Sequence, residues 1–267
     1  MFGDDCETVI VVPCYNEANR LREKAFLDFI NDRERLCILF VNDGSNDGTL
    51  DILRNICNHA PHRLHLLNLD TNRGKAEAIR SGFIEAIKWG PNFIAMWDAD
   101  LATPLSMVIE FLEFMRNNES VILVMGSRVK LLGRRIERSR SRHILGRLAA
   151  TLISYTLKLE VYDTQCGAKL FRVNDLTRSI FNSPFLSTWI FDVELIARLI
   201  QARKGKEKTP LDQLICEIPL HEWIDVGGSK IRPGHYARSL VELLRIKMVY
   251  LSDISARNNQ DENSHSD

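Results

Sequence analysis

The chain has 267 residues, 45% of them hydrophobic, and its 35 basic residues are balanced by 35 acidic ones. That is enough apolar material for one large α/β domain or two small ones, and a net charge of zero gives no reason to expect a nucleic-acid partner. Six cysteines without a C-x-x-C pair read as small core residues in a reducing compartment, and no apolar run approaches the roughly 18 residues a membrane span needs.

The amino terminus, M-F-G-D-D-C-E-T, has neither the basic start nor the apolar core of a signal peptide. A cytoplasmic location is therefore expected, with at most peripheral contact with the membrane face. From there short β-branched runs alternate with longer amphipathic ones. Val9 to Val12, Leu36 to Val41, Leu64 to Leu69, Phe93 to Trp97 and Val121 to Met125 are too apolar to keep a wet face and are expected to be strands. The segments around 18–30, 48–58, 74–88 and 105–116 carry apolar residues at helical spacing. This alternation predicts a mostly parallel, Rossmann-like sheet flanked by helices. Ligands of such sheets bind beyond the carboxyl ends of the strands, and P-C-Y-N-E at 13–17, N-D-G-S at 42–45, N-R-G-K at 72–75 and D-A-D at 98–100 all sit at such ends.

After Gly126 the pattern changes. Residues 128–147 hold eight Arg or Lys against the single acid Glu137, and an apolar helical run to Leu159 follows. D-T-Q-C-G-A-K-L-F occupies 163–171, W-I-F-D-V-E-L opens a helix at 189, L-I-C-E-I-P-L at 214–220 is strand-like, and G-S-K lies at 228–230. No linker or internal repeat separates the halves. One domain is expected over 1–254, with a nucleotide-binding half at about 8–126, an acceptor half at about 127–254, and a polar, disordered tail at 255–267.

Nucleotide sites in α/β sheets usually carry G-x-G-x-x-G or G-x-x-x-x-G-K-[ST], and neither is present. A site without such a loop can neutralise a diphosphate with a divalent cation. Asp98 and Asp100 are spaced to reach one hard ion, Mg²⁺ or Mn²⁺. The alternative is a pair of turn carboxylates before a helix capped by Thr103-Pro104. Asp43 and Lys75 likewise read, in isolation, as a turn residue and a charge on a solvated helix face.

Taken together, V-V-P-C-Y-N-E, V-N-D-G-S-N-D-G-T, N-R-G-K-A-x-A and D-A-D resemble the successive motifs of family 2 glycosyltransferases with the GT-A fold. G-S-R at 126–128, D-T-Q-C-G-A-K-L-F, W-x-F-D-V-E-L and G-S-K narrow the resemblance to the dolichyl-phosphate β-glucosyltransferase or polyprenyl-phosphate glycosyltransferase branch, over about residues 8–250. Ala168 departs from it, standing where that branch tends to have an aromatic. The resemblance implies an inverting hexosyltransferase that moves a sugar, glucose favoured, from a UDP-sugar to a lipid phosphate. It implies that Pro13, Tyr15, Asn16 and Glu17 hold uracil and ribose, and that Asp43 hydrogen-bonds the base with Gly44 and Ser45 beside it. Asn72 and Lys75 would face the nucleotide, Asp98 would contact ribose or metal, and Asp100 would bind the metal through the diphosphate. Asp192 matches the position of the base, with Asp163 in reserve. Asp192 reads equally well as a carboxylate complementing a helix dipole. Arg128, Arg138, Arg142 and Lys230 are the implied acceptor-phosphate ligands. The other readings are a glycosyltransferase with a soluble or glycan acceptor, a sugar-phosphate nucleotidylyltransferase, whose usual Gly-rich opening P-C-Y-N-E does not resemble, and a non-catalytic nucleotide-sugar-binding protein.

Overall fold

A computed structural model describes residues 6–31, 33–137, 140–204, 209–226 and 234–252; for 140–145 and 234–237 it describes the backbone. The apolar runs of the first half form β1 (Thr8–Cys14), β2 (Leu36–Asp43), β3 (Leu64–Leu69), β4 (Phe93–Met96) and β5 (Leu123–Ser127). Between them lie α1 (Glu23–Asn31), α2 (Thr49–His59), α3 (Lys75–Ile87) and α4 (Met107–Asn117). Every residue of β2 is buried, as expected of a strand covered on both faces. One face packs against α1, α2 and α4 through Phe26, Leu53, Ile56 and Phe111. The other face is covered by α3 and by helices of the second half, through Phe83, Phe181, Phe191 and Ile196.

The second half adds β6 (Arg135–Glu137), α5 (Arg140–Leu157), β7 (Lys169–Arg172), α6 (Asp175–Phe181), α7 (Phe191–Arg203), β8 (Ile215–Pro219), β9 (Glu222–Ile224) and α8 (Gly234–Ile246), which runs into a π-helical turn at Lys247–Leu251. The seven-stranded sheet has the order β3-β2-β1-β4-β7-β5-β8, and β6 pairs with β9 in a separate small sheet. β7 is antiparallel to both β4 and β5, whereas the other pairs in the large sheet are parallel. The second half is therefore not an appendage. Its four-residue strand K-L-F-R is driven into the middle of the sheet, with Lys169 level with Met96 on one side and Met125 on the other.

Two details differ from the sequence reading. Cys6 and Cys37, on neighbouring strand ends, are joined as a disulfide, leaving Cys14, Cys57, Cys166 and Cys216 free. His65, for which a surface position is expected because no ligand spacing surrounds it in the sequence, is buried and meets Trp89 edge to face, with ring centroids 4.8 Å apart. Among the described residues, no helix is long and apolar enough to cross a membrane. The expected tail at 255–267 lies outside them.

Helix α3, which delivers Lys75 to the site, lies unusually close to the sheet. A Cβ on Gly82 would come within 2.4 Å of Val11 Cγ1 and 2.8 Å of Val41 Cγ2. Gly82→Val should therefore push the helix off β1 and β2, lowering stability by about 1–3 kcal/mol in urea denaturation, as overpacking does.

Candidate active site

The first two strand-end loops are stitched to each other. Asn16, at φ 51°, donates its backbone N–H to Ser45 Oγ at 3.0 Å, and its side-chain Oδ1 accepts from Asn46 N at 2.9 Å. Glu17 N donates to Thr49 Oγ1 at 2.8 Å, while the Glu17 carboxylate takes Arg20 Nε at 2.7 Å. Pro13 and Tyr15 are half-buried on this rim, with Asn16 exposed beside them. Gly44, at φ 62°, lies against the third loop, where an added Cβ would be 2.5 Å from Asn72 N. Asp43 is buried, and its two oxygens accept the N–H groups of Arg73 and Gly74, both at 2.8 Å. Its first task is thus to hold N-R-G-K in place. Each oxygen keeps a second acceptor site for a ligand.

That loop starts α3 at Lys75, whose Nζ donates to Asp98 Oδ1 at 2.5 Å across the end of β4. The backbone of Gly167 covers the other side of Asp98: a Cβ there would lie 1.9 Å from Oδ2. Burial opposes ionisation of Asp98, but the charges of Lys75, Lys169 and Arg128 hold its carboxyl below the usual range. Asp100 shows the opposite. Burial and the negative charge of Asp98 push it up, although Ala102 N donates to its Oδ1 at 3.1 Å. Neighbouring carboxylates whose pKa values are driven apart mark a candidate functional site. Among the described residues, no three His, Cys, Asp or Glu side chains converge as a metal cage. The pair fits a hard cation that takes its remaining oxygens from a diphosphate and water, the usual habit of Mg²⁺. The turn reading holds in part too, through the Ala102 contact, but Ser106 rather than Thr103 precedes α4.

Asp192 stands on the first turn of α7, 5% exposed. Burial raises its pKa, opposed by the charges of Lys169 and Lys75, and Lys169 Nζ donates to its Oδ1 at 2.5 Å. The structure thus brings Lys75, Asp98, Asp100 and Asp192 into one electrostatic group. Asp163 is differently employed. Arg128 grips it with Nε to Oδ2 at 2.6 Å, Nη2 to Oδ1 at 2.8 Å and its backbone N–H to Oδ2 at 3.1 Å. The reserve base is therefore an anchor, and Arg128 is bound to it and lies over Trp223 instead of projecting outward. A cavity of about 60 Å³ beside this pair, lined in part by Arg147 and Tyr162, is too small for a sugar. Arg138 and Lys230 lie outside the described residues, as does the side chain of Arg142.

Several contributing residues were missed in the sequence. Arg20 faces Asp98 and Asp100 closely enough for their charge to stabilise its cation; its offset after P-C-Y-N-E was the available clue. Lys169 and Gly167 sat inside the quoted D-T-Q-C-G-A-K-L-F without being singled out. Glu217 accepts from Tyr162 N and Asp163 N, both at 2.7 Å, and Glu242 accepts from Thr188, Trp189 and Ile190 N at 3.1–3.3 Å, holding the loop before Asp192. Nothing local in the sequence marks either acid.

The side chains of Arg128 and Asp163 are 13% and 9% exposed. Asp163→Asn should therefore cost about 3–5 kcal/mol in denaturant unfolding, because it strands a buried guanidinium. A base with no structural duty would leave the midpoint unchanged.

Comparison with known proteins agrees with this arrangement. A model of glycosyl transferase family 2 matches residues 9–178. A dolichyl-phosphate beta-glucosyltransferase of Trichomonas vaginalis is 31% identical over 256 residues, 91% of this chain and 74% of its own. One from Saccharomyces cerevisiae is 30% identical over 267 residues, 92% and 75% of the two chains. Among solved structures, glucosyl-3-phosphoglycerate synthase from Mycobacterium tuberculosis in complex with Mn²⁺ and UDP-glucose superposes with a TM-score of 0.64 at 16% identity, over 91% of this chain and 79% of that one. At that identity the likeness speaks for the fold alone. The sheet order, the strand-end carboxylates and the extent of these matches lead to one conclusion: the chain belongs to glycosyl transferase family 2 and is a glycosyltransferase of GT-A fold.

Proposed function

We propose that this glycosyltransferase moves glucose from UDP-glucose to a polyprenyl or dolichyl phosphate, with inversion at the anomeric carbon. The observation that carries the reading is the grouping of Lys75, Asp98 and Asp100 at the ends of α3 and β4 with a second, separate carboxylate, Asp192, beside them. One displacement needs charge neutralisation at the departing diphosphate and a single carboxylate on the acceptor side, and the grouping supplies both. The relatives named as dolichyl-phosphate beta-glucosyltransferases support the acceptor, and the Mn²⁺ and UDP-glucose complex of a structural neighbour supports the donor.

In this reading Pro13, Tyr15, Asn16 and Glu17 form the wall against uracil and ribose, and Asp43, Gly44 and Ser45 present the base-facing edge. Asn72 and Lys75 face the diphosphate. Asp98 and Asp100 would hold a divalent cation, which when bound would supply charge stabilisation for the leaving UDP. A phosphate monoester, with a second pKa of about 6, already arrives largely deprotonated at pH 7. Asp192 then orients the attacking oxygen and accepts whatever proton remains.

The test is a transfer assay with UDP-glucose, Mn²⁺ and a short polyprenyl phosphate, read as UDP release and glucose in the lipid fraction. Asp100→Ala should abolish transfer and weaken metal-dependent UDP binding in calorimetry at least about tenfold, since it removes an anionic metal ligand. Ready transfer to an uncharged, soluble acceptor with none to the polyprenyl phosphate would overturn the acceptor.

Peripheral membrane contact belongs to the same reading. Leu148, Leu152 and Tyr155 are exposed along one stripe of α5, and Leu240, Leu244 and Met248 along one stripe of α8 and its π-helical end, which packs against α5. The Arg-rich segment, residues 128–147, overlaps the start of α5, so basic residues adjoin the apolar stripe along the chain, as in helices that lie on anionic bilayers. The protein should sediment with anionic liposomes at low salt and leave them as salt rises, because that attraction is screened over about 10 Å at 0.1 M. Salt-independent failure to sediment would remove the membrane from the reading.

A further inference from the structure

Lys169 is the least expected charge in the molecule. It is fully buried in the central strand β7, level with Met96 and Met125 on the flanking strands. A lone ammonium there would be costly. It has two partners, the carbonyl of Cys166 and Oδ1 of Asp192, both at 2.5 Å. The carbonyl belongs to the segment whose next residue, Gly167, lies against Asp98. The other oxygen of Asp192, Oδ2, has no hydrogen bond among the described residues. We propose that Lys169 is a positioning residue for the transfer step: from inside the sheet it fixes Oδ1 of Asp192 and leaves Oδ2 as the oxygen presented to the acceptor. This rests on the reading above, in which Asp192 serves the acceptor.

A purely structural ion pair between strand and helix would use the same contact, and the two roles differ in what they do to turnover. If Lys169 acts through Asp192, its loss has little left to remove once Asp192 is gone. Groups that act as a unit are non-additive in this way. The experiment is a double-mutant cycle with Lys169→Met and Asp192→Asn, assayed with UDP-glucose, Mn²⁺ and a short polyprenyl phosphate, with folding checked by circular dichroism. Each single variant should lower kcat by about 100-fold while the KM for UDP-glucose stays within about threefold, as expected for a group that matters mainly in the transition state. The double variant should be within about threefold of Asp192→Asn alone. Lys169→Arg, which keeps the cation, should recover at least about tenfold of the kcat lost in Lys169→Met.

Three results would overturn the role of Lys169 while leaving that of Asp192 standing. They are a double variant slowed by the product of the two single factors, a Lys169→Met enzyme of normal kcat, and no recovery with arginine. If Lys169→Met does not fold, the cycle is run with Lys169→Gln, which removes the cation but keeps a polar head; equal losses with and without Asp192→Asn then count against the proposal. A slow Asp192→Asn with a normal Lys169→Met sinks only the role of Lys169. A normal Asp192→Asn sinks the assignment of Asp192 and the proposal with it.

Discussion

Charge of both signs meets where β4, β7 and α7 come together, and its inner pair, Lys169 with Asp192, is buried where neither member could stay ionised alone. An isolated ion in such a place costs several kcal/mol. Lys75 faces Asp98 and Lys169 faces Asp192, each at 2.5 Å, and Lys75 also feels Asp192. Because the inner pair is tolerable only together and the half-exposed outer pair abuts it, the group constrains the path of the backbone around it. The segment leading into β7 must cross Asp98 so closely that only glycine fits at 167. β7 must then enter between β4 and β5 with its lysine inward, and the loop before α7 must bring Asp192 over it. Glu242 and Glu194 fix that loop from behind, through bonds to the backbone of residues 186–190.

The two sides of the site are held by different means. On the side built by the first half the loops are bound by short polar side chains to backbone N–H groups: Ser45 and Thr49 to the first loop, Asp43 to the third. Such bonds cost little desolvation beyond what they return and leave the side chains at the rim available. On the side built by the second half the fasteners are full charges, Arg128 with Asp163 and Lys169 with Asp192. A surface built from paired ions resists rearrangement, since separating either pair strands a buried charge.

The difference between these two constructions accounts for what could be read from the sequence. The first half is a succession of local signals: a β-branched run, a polar cluster, an amphipathic helix. There β1, β2 and β3 pair in chain order and β4 returns to β1, while β5 pairs with β7 and β8 of the second half; periodicity and order nearly suffice for the first four, and the boundaries of all five strands differ from expectation by at most two residues. The polar clusters could be placed at strand ends for the same reason. β7 gave no such signal. Four residues, K-L-F-R, carry no periodicity, and their partners are more than seventy residues back on β4 and more than forty back on β5.

The same limit decided which site residues were visible. Asp98, Asp100 and Asp192 stand at ends of elements, where a carboxylate after an apolar run, or in the first turn of a helix, is noticeable from its neighbours alone. Lys169 is in a strand, where a lysine normally signals an exposed edge; only its pairing with a carboxylate from a different element makes burial tolerable. Arg128 shows the converse. The resemblance implies a phosphate ligand there, and nothing beside it in the sequence shows that Asp163, 35 residues away, is its ion-pair partner. A charge is legible from sequence as long as its partner is water or a ligand, and becomes illegible once its partner is another part of the same chain.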